Sequence, residues 1–177
     1  MTRLTFTLAG ALLGTSAWAK TDTPAPSTTE KTGVNSVLGV APSTQDFVTE
    51  AATSDMFEIA SIKLALERSD DTTKAFAQQM VTDHEKTTSD LKGLVIGGKV
   101  QATLPTGMTD RQLSTLDDLK ALQGAEYRSI QVDAHKDAVD LFKRYGDGGE
   151  QADLKAWAAA TLPHLQHHLD MANGLNK

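Results

Sequence analysis

Four long stretches of this chain repeat their apolar residues at spacings of three and four, and no stretch alternates at a spacing of two. Such stripes are buried only when helices pack on one another, so the pattern points to an all-α fold. The spacing predicts helices over about 44–68, 72–95, 110–145 and 151–173. Ser69-Asp70-Asp71 makes a tight connection after the first, and Gly97-Gly98 end the second. Thr109 and Gln112 have the spacing of a capping box at the start of the third. That third segment is long enough to require a bend or break, expected near Gly124. Pro163 lies inside the fourth and should kink it and free a carbonyl. The expected architecture is a four-helix bundle, with the 97–124 region open to an up-down-up-down or a ferritin-type crossover.

Residues 1–19, MTRLTFTLAGALLGTSAWA, read as a secretory signal peptide. They carry one positive charge, Arg3, an apolar run from Leu4 to Leu13, and the small-x-small ending Ala17-Trp18-Ala19 before Lys20. The run is far shorter than the ~20 residues a membrane span needs, so no integral span is expected in the mature chain. Residues 20–43, rich in Thr, Pro and Ser, read as a flexible linker, and 44–175 as the helical domain.

Cleavage removes one basic residue and no acidic one, which moves the formal net charge from −6 to −7. An acidic chain without a basic cluster is a poor partner for nucleic acid or anionic lipid. With no cysteine there is no disulfide, no thiolate metal site, no C-x-x-C-H haem and no lipidated N-terminus. No Gly-x-Ser-x-Gly elbow supports a nucleophilic hydrolase. A carboxylate-bridged di-iron site needs Glu-x-x-His on two helices. Three residues before His84, His135, His164 and His168 stand Val81, Val132, Thr161 and Leu165 instead. Met80 beside His84 and Met171 beside His168 offer haem ligands in principle, but Met at helical spacing is usually core filler.

Stepping 100° per residue turns several polar groups into the apolar arcs. Glu58 and Asp55 fall inside the arc of the first helix, and His84 near the centre of the second, with Asp83 outside. Gln131 and His135 lie in the middle of the third, and His168 inside the fourth. His164 is at the edge of that arc and His167 points away. Counted from the turns at 1.5 Å per residue, Glu58 and His84 differ in height by ~3 Å, and His135 and His164 by ~4.5 Å. His168 then sits about a turn deeper, near the level of Gln131.

Buried imidazoles and carboxylates demand partners, because each costs several kcal/mol otherwise. Two arrangements supply them. In one, Glu58, His84, His135 and His168, with His164 or Asp55, coordinate a divalent metal such as zinc, iron or copper. In the other, the same groups satisfy one another in a hydrogen-bond network that fixes helix register, and function resides in the surface. No substrate or protein partner is named by either.

The blocks DFVTEAATSDMFEIASIKLA, FAQQMVTDHEKTTSDL, QVDAHKDAVDLFKRYG and LKAWAAATLPHLQHHLDMA, in that order, resemble those of the domain-of-unknown-function 4142 family. The resemblance runs from about Gln45 to Leu175, with the lead-in NSVLGVAPST. It implies a ferritin-like four-helix bundle in a bacterial envelope, hence a periplasmic location. The family's recurrent polar positions fall on Glu58, His84, Gln131, His135 and His168, and His164 matches a looser one. Gln123-Gly124 stand where the family often has Phe-Asp before the tyrosine matched by Tyr127, so the family's aspartate is missing at that place. The resemblance assigns no activity.

Overall fold

The computed structural model describes residues 27, 30, 33–68, 71–121 and 125–174. The leader, Ser69-Asp70 and Gln123-Gly124 therefore lie outside the described residues. Among the described residues the chain is helical without strands: α1 Val34–Leu38, α2 Thr44–Arg68, α3 Asp71–Ile96, α4 Asp110–Ala121, α5 Ala125–Gly148 and α6 Ala152–Gly174. The third predicted segment is thus two helices, α4 and α5.

Local chemistry sets the ends. Gly98 closes α3 at φ 77, where a side chain would be strained. Around it the N–H groups of Gly98 and Lys99 return to the carbonyls of Val95 and Leu94 at 3.1 Å, a Schellman ending. The capping box forms at α4: the Thr109 N–H donates to Gln112 Oε1 at 2.9 Å, and the Gln112 N–H to Thr109 Oγ1 at 3.2 Å. α6 runs through Pro163 without interruption. Proline has no N–H, so the Ala159 carbonyl loses its usual intrahelical donor.

Two hairpins, α2–α3 and α5–α6, account for most of the packing; the α2–α5 and α3–α6 seams between them are much thinner. Contacts at one end fix the directions. Thr44 Oγ1 lies 2.8 Å from Tyr145 Oη, Gln45 bonds Thr103, and Gln151 Nε2 donates to the Lys99 carbonyl at 2.6 Å. The start of α2 and the ends of α3 and α5 therefore share that end with the start of α6. α4, packed on α2, carries the chain to the opposite end, so α3 and α5 run parallel.

Hydrophobic burial divides into two clusters. At the shared end Phe47 stacks on Tyr145 with ring centres 4.1 Å apart and meets Phe142 edge-on at 5.0 Å, with Leu91, Leu154 and Leu165 around them. Each such ring or leucine is worth ~1.5–3 kcal/mol when buried. The second cluster, Ile62, Ala77, Met80, Val132 and Ala172, lies at the other end. Between them the two hairpins meet across a polar layer.

Part of the stretch expected to be a flexible linker is held to the bundle. The Ser27 N–H donates to Asp46 at 2.7 Å. Arg144 donates to Glu30, to the Val40 carbonyl and to Asp140 at 2.7–2.8 Å.

Candidate metal centre

The polar layer is built from turns of helix. On α2, Asp55, Glu58 and Ser61 recur every third residue and face one way. Asp55 Oδ1 lies 2.8 Å from His84 Nδ1 of α3, and Ser61 Oγ accepts from Gln131 Nε2 of α5 at 3.0 Å. Glu58 stands between these two contacts, one turn from each, facing both neighbouring helices. On α5 Gln131 and His135 are a turn apart, and His135 Nδ1 donates to the Gln131 carbonyl at 2.7 Å. On α6 His168 Nε2 donates to Asp83 Oδ2 at 2.9 Å.

Three imidazoles thus meet from three helices. The ring centres of His84, His135 and His168 are 5.4–5.8 Å apart, and one ligand nitrogen from each lies within 4.8 Å of the others. Their exposures are 2%, 1% and 2%. Each has one nitrogen held from behind, and the acceptor there decides the tautomer. A carbonyl oxygen only accepts, so His135 Nδ1 carries the proton and Nε2 is a lone pair. The Asp83 carboxylate does the same for His168 Nε2, leaving Nδ1 as the lone pair. Among the described residues, His84 Nε2, His135 Nε2 and His168 Nδ1 have no hydrogen-bond partner.

Electrostatics follows from this burial. Loss of solvent, with the neighbouring His84 adding to it, pushes His135 down to about 4. Burial also pushes His168 down to about 4, against the pull of Asp83. His84 is the exception: burial lowers it, but its bond to Asp55 wins and raises it. Burial raises Asp55 in turn, against the bond from His84. Glu58, 2% exposed, is pushed by burial up to about 7, with His84 and the nearby Gln131 side chain opposing. Tyr127, whose hydroxyl lacks a partner among the described residues, is raised by burial and by the charge of Glu58.

Three imidazoles sharing one ion at the usual ~2.0–2.1 Å would hold their ring centres about 5.2–5.5 Å apart, for tetrahedral or trigonal angles. One separation, 5.4 Å, lies within this range and the other two, 5.8 Å, exceed it by a few tenths of an ångström. The outer contacts match the second shell of metal-bound histidine, in which a carboxylate or carbonyl orients each ring. The donor set is imidazole nitrogen with a nearby carboxylate, suited to zinc, iron or copper.

Of the residues expected from the sequence, Glu58, His84, His135 and His168 are buried in this layer, and His164 and His167 are exposed on α6. Glu58 is beside the three rings but outside their 4.8 Å group. His168, not His164, stands level with His135. Counting from Gly148 ignored the 149–151 connection, and the hairpin is centred further along, where Gly146 lies against Ala159. Asp83 was placed outside the α3 arc, yet its carboxylate reaches across the seam to His168. Its position immediately before His84 was the available signal. Met80 is buried in the second hydrophobic cluster and Met171 packs against it, both as core residues.

A family model described as Domain of unknown function (DUF4142) matches residues 29–175. No curated protein and no solved structure matches the chain.

Proposed function

The chain belongs to the DUF4142 family, and from that premise we propose that it binds one divalent transition-metal ion through His84, His135 and His168, with Glu58 as the fourth donor. The observation that carries this is the set of three inward nitrogens. A satisfied network would join them to one another, yet each lacks a hydrogen-bond partner while its outer nitrogen is firmly held. A cation placed among them serves the lone pairs of His135 and His168, takes that of His84 by displacing its proton, and offsets the charge of the buried Glu58. Burial on every side favours an ion that is held over a substrate that is turned over.

The helix order supports a ferritin-like arrangement for this bundle, because the long connection that contains α4 lets α3 and α5 run parallel. Export to the periplasm rests on residues 1–19. No described helix is long and apolar enough to cross a membrane. A surface-binding role, the second reading, is favoured by Val37 and Leu38, 86% and 69% exposed on α1.

The test uses tag-free protein, since an affinity tag adds imidazole. Elemental analysis after zinc, iron or copper loading and desalting should find one ion per chain. Thermal unfolding should shift upward with the metal, because a ligand confined to the folded state raises the midpoint. His135→Ala should abolish both effects. Absence of bound metal and of any shift would overturn the proposal.

A further inference from the structure

We infer that the ion enters this site along the α3–α6 seam, caught at the surface by Asp83 and His164 and passed inward past His168; this rests on the metal-binding reading above. Each ring of the trio has one partner behind it, and the three differ in access. The Asp55 side chain behind His84 is 6% exposed, and Gln131 behind His135 is fully buried. The Asp83 side chain behind His168 is 30% exposed. Of the three, it alone reaches water.

The seam it occupies is thin compared with the packing inside either hairpin, so it opens more cheaply than either hairpin does. Above and below, the polar layer is closed by the two hydrophobic clusters. A hydrated cation must exchange its waters for protein donors stepwise, and the seam offers donors in that order. Gln79 Nε2 donates to both oxygens of Asp83 at 2.9 Å and fixes the carboxylate. His164 is exposed on α6, one turn before the His168 whose Nε2 lies 2.9 Å from Asp83. Carboxylate oxygen with an accessible imidazole is the donor chemistry of the inner site repeated at the surface. His168 touches both stations, with Nε2 on Asp83 and Nδ1 turned toward the trio. A single ring therefore separates outer capture from inner binding.

Cobalt(II) loading of the tag-free full chain, followed by its visible absorption in a stopped-flow instrument, tests this. The comparison is wild type, His164→Ala, Asp83→Asn and, as control, His167→Ala, which removes an equally exposed imidazole from the same helix. Final stoichiometry should stay at one cobalt per chain, while His164→Ala loads about tenfold more slowly and His167→Ala stays within about twofold of wild type. Asp83→Asn should also load slowly. Wild-type loading by His164→Ala, or equal slowing in His167→Ala, would overturn the route while leaving the metal site standing. Loss of the ion in His164→Ala would make His164 an inner ligand and overturn outer capture. A wild type that takes up no cobalt would end both readings.

Discussion

A neutral imidazole with one nitrogen tied to an acceptor has no further choice: its other nitrogen presents a lone pair, as at His135 and His168. His84, raised despite burial by Asp55, gives up a proton before it can do so. The inward nitrogens of the three rings are left without a partner among the described residues, and a buried carboxylate beside them adds a charge the interior does not welcome. Glu58 makes this measurable. Its folded-state value of about 7 lies above the ordinary 4.5, so the unfolded chain holds the charge more easily. The resulting penalty is full above pH 7 and vanishes below 4.5. Metal-free Glu58→Gln should therefore be more stable than wild type at pH 8, by up to about 3 kcal/mol. The gain should shrink as pH falls and reverse in sign once zinc is added. Urea unfolding in chelator across pH 4–8 checks it, and a gain independent of pH would contradict it. His135 and His168 act oppositely: held near 4, they lose stability as pH falls from 6.5. His167→Ala should change stability by less than about 0.5 kcal/mol, as for other exposed positions. The wheels placed Glu58, His84, His135 and His168 correctly because a helical stripe is a matter of angle. They missed Asp83 because a carboxylate at the margin can reach inward along its own side chain.

Helices here end where their residues demand it. Thr109→Ala removes the acceptor for the Gln112 N–H and should cost about 1 kcal/mol, with Thr109→Ser close to neutral. Gly146 is constrained by packing: a Cβ there would lie 3.3 Å from the backbone of Ala159. Gly146→Ala should prise α5 from α6 and cost about 1–3 kcal/mol, read as a lowered thermal midpoint. The long periodic segments were legible from sequence, because capping and glycine signals bound them on both sides. Which of His164 and His168 stands level with His135 was not, because that depends on how many residues the 149–151 connection consumes. One turn of error exchanges a buried histidine for an exposed one.

The molecule is two hairpins joined along thin seams, with the histidine layer lying across both. His84 belongs to one hairpin and His135 and His168 to the other, so an ion among them is a cross-link. Metal should slow amide exchange most around His84 in α3 and His168 in α6, leaving α1 unchanged. A ligand at a thousandfold excess over its dissociation constant adds about 4 kcal/mol to folded-state stability. The crossover by α4 was not legible, since periodicity gives each helix a buried face but not its neighbour. The most direct measurement is X-ray absorption at the zinc edge of tag-free, stoichiometrically loaded protein. Three imidazole nitrogens at ~2.0–2.1 Å with one further oxygen are the expected shell. A shell of oxygens alone, or one unchanged by His84→Ala, would contradict a metal held by His84, His135 and His168.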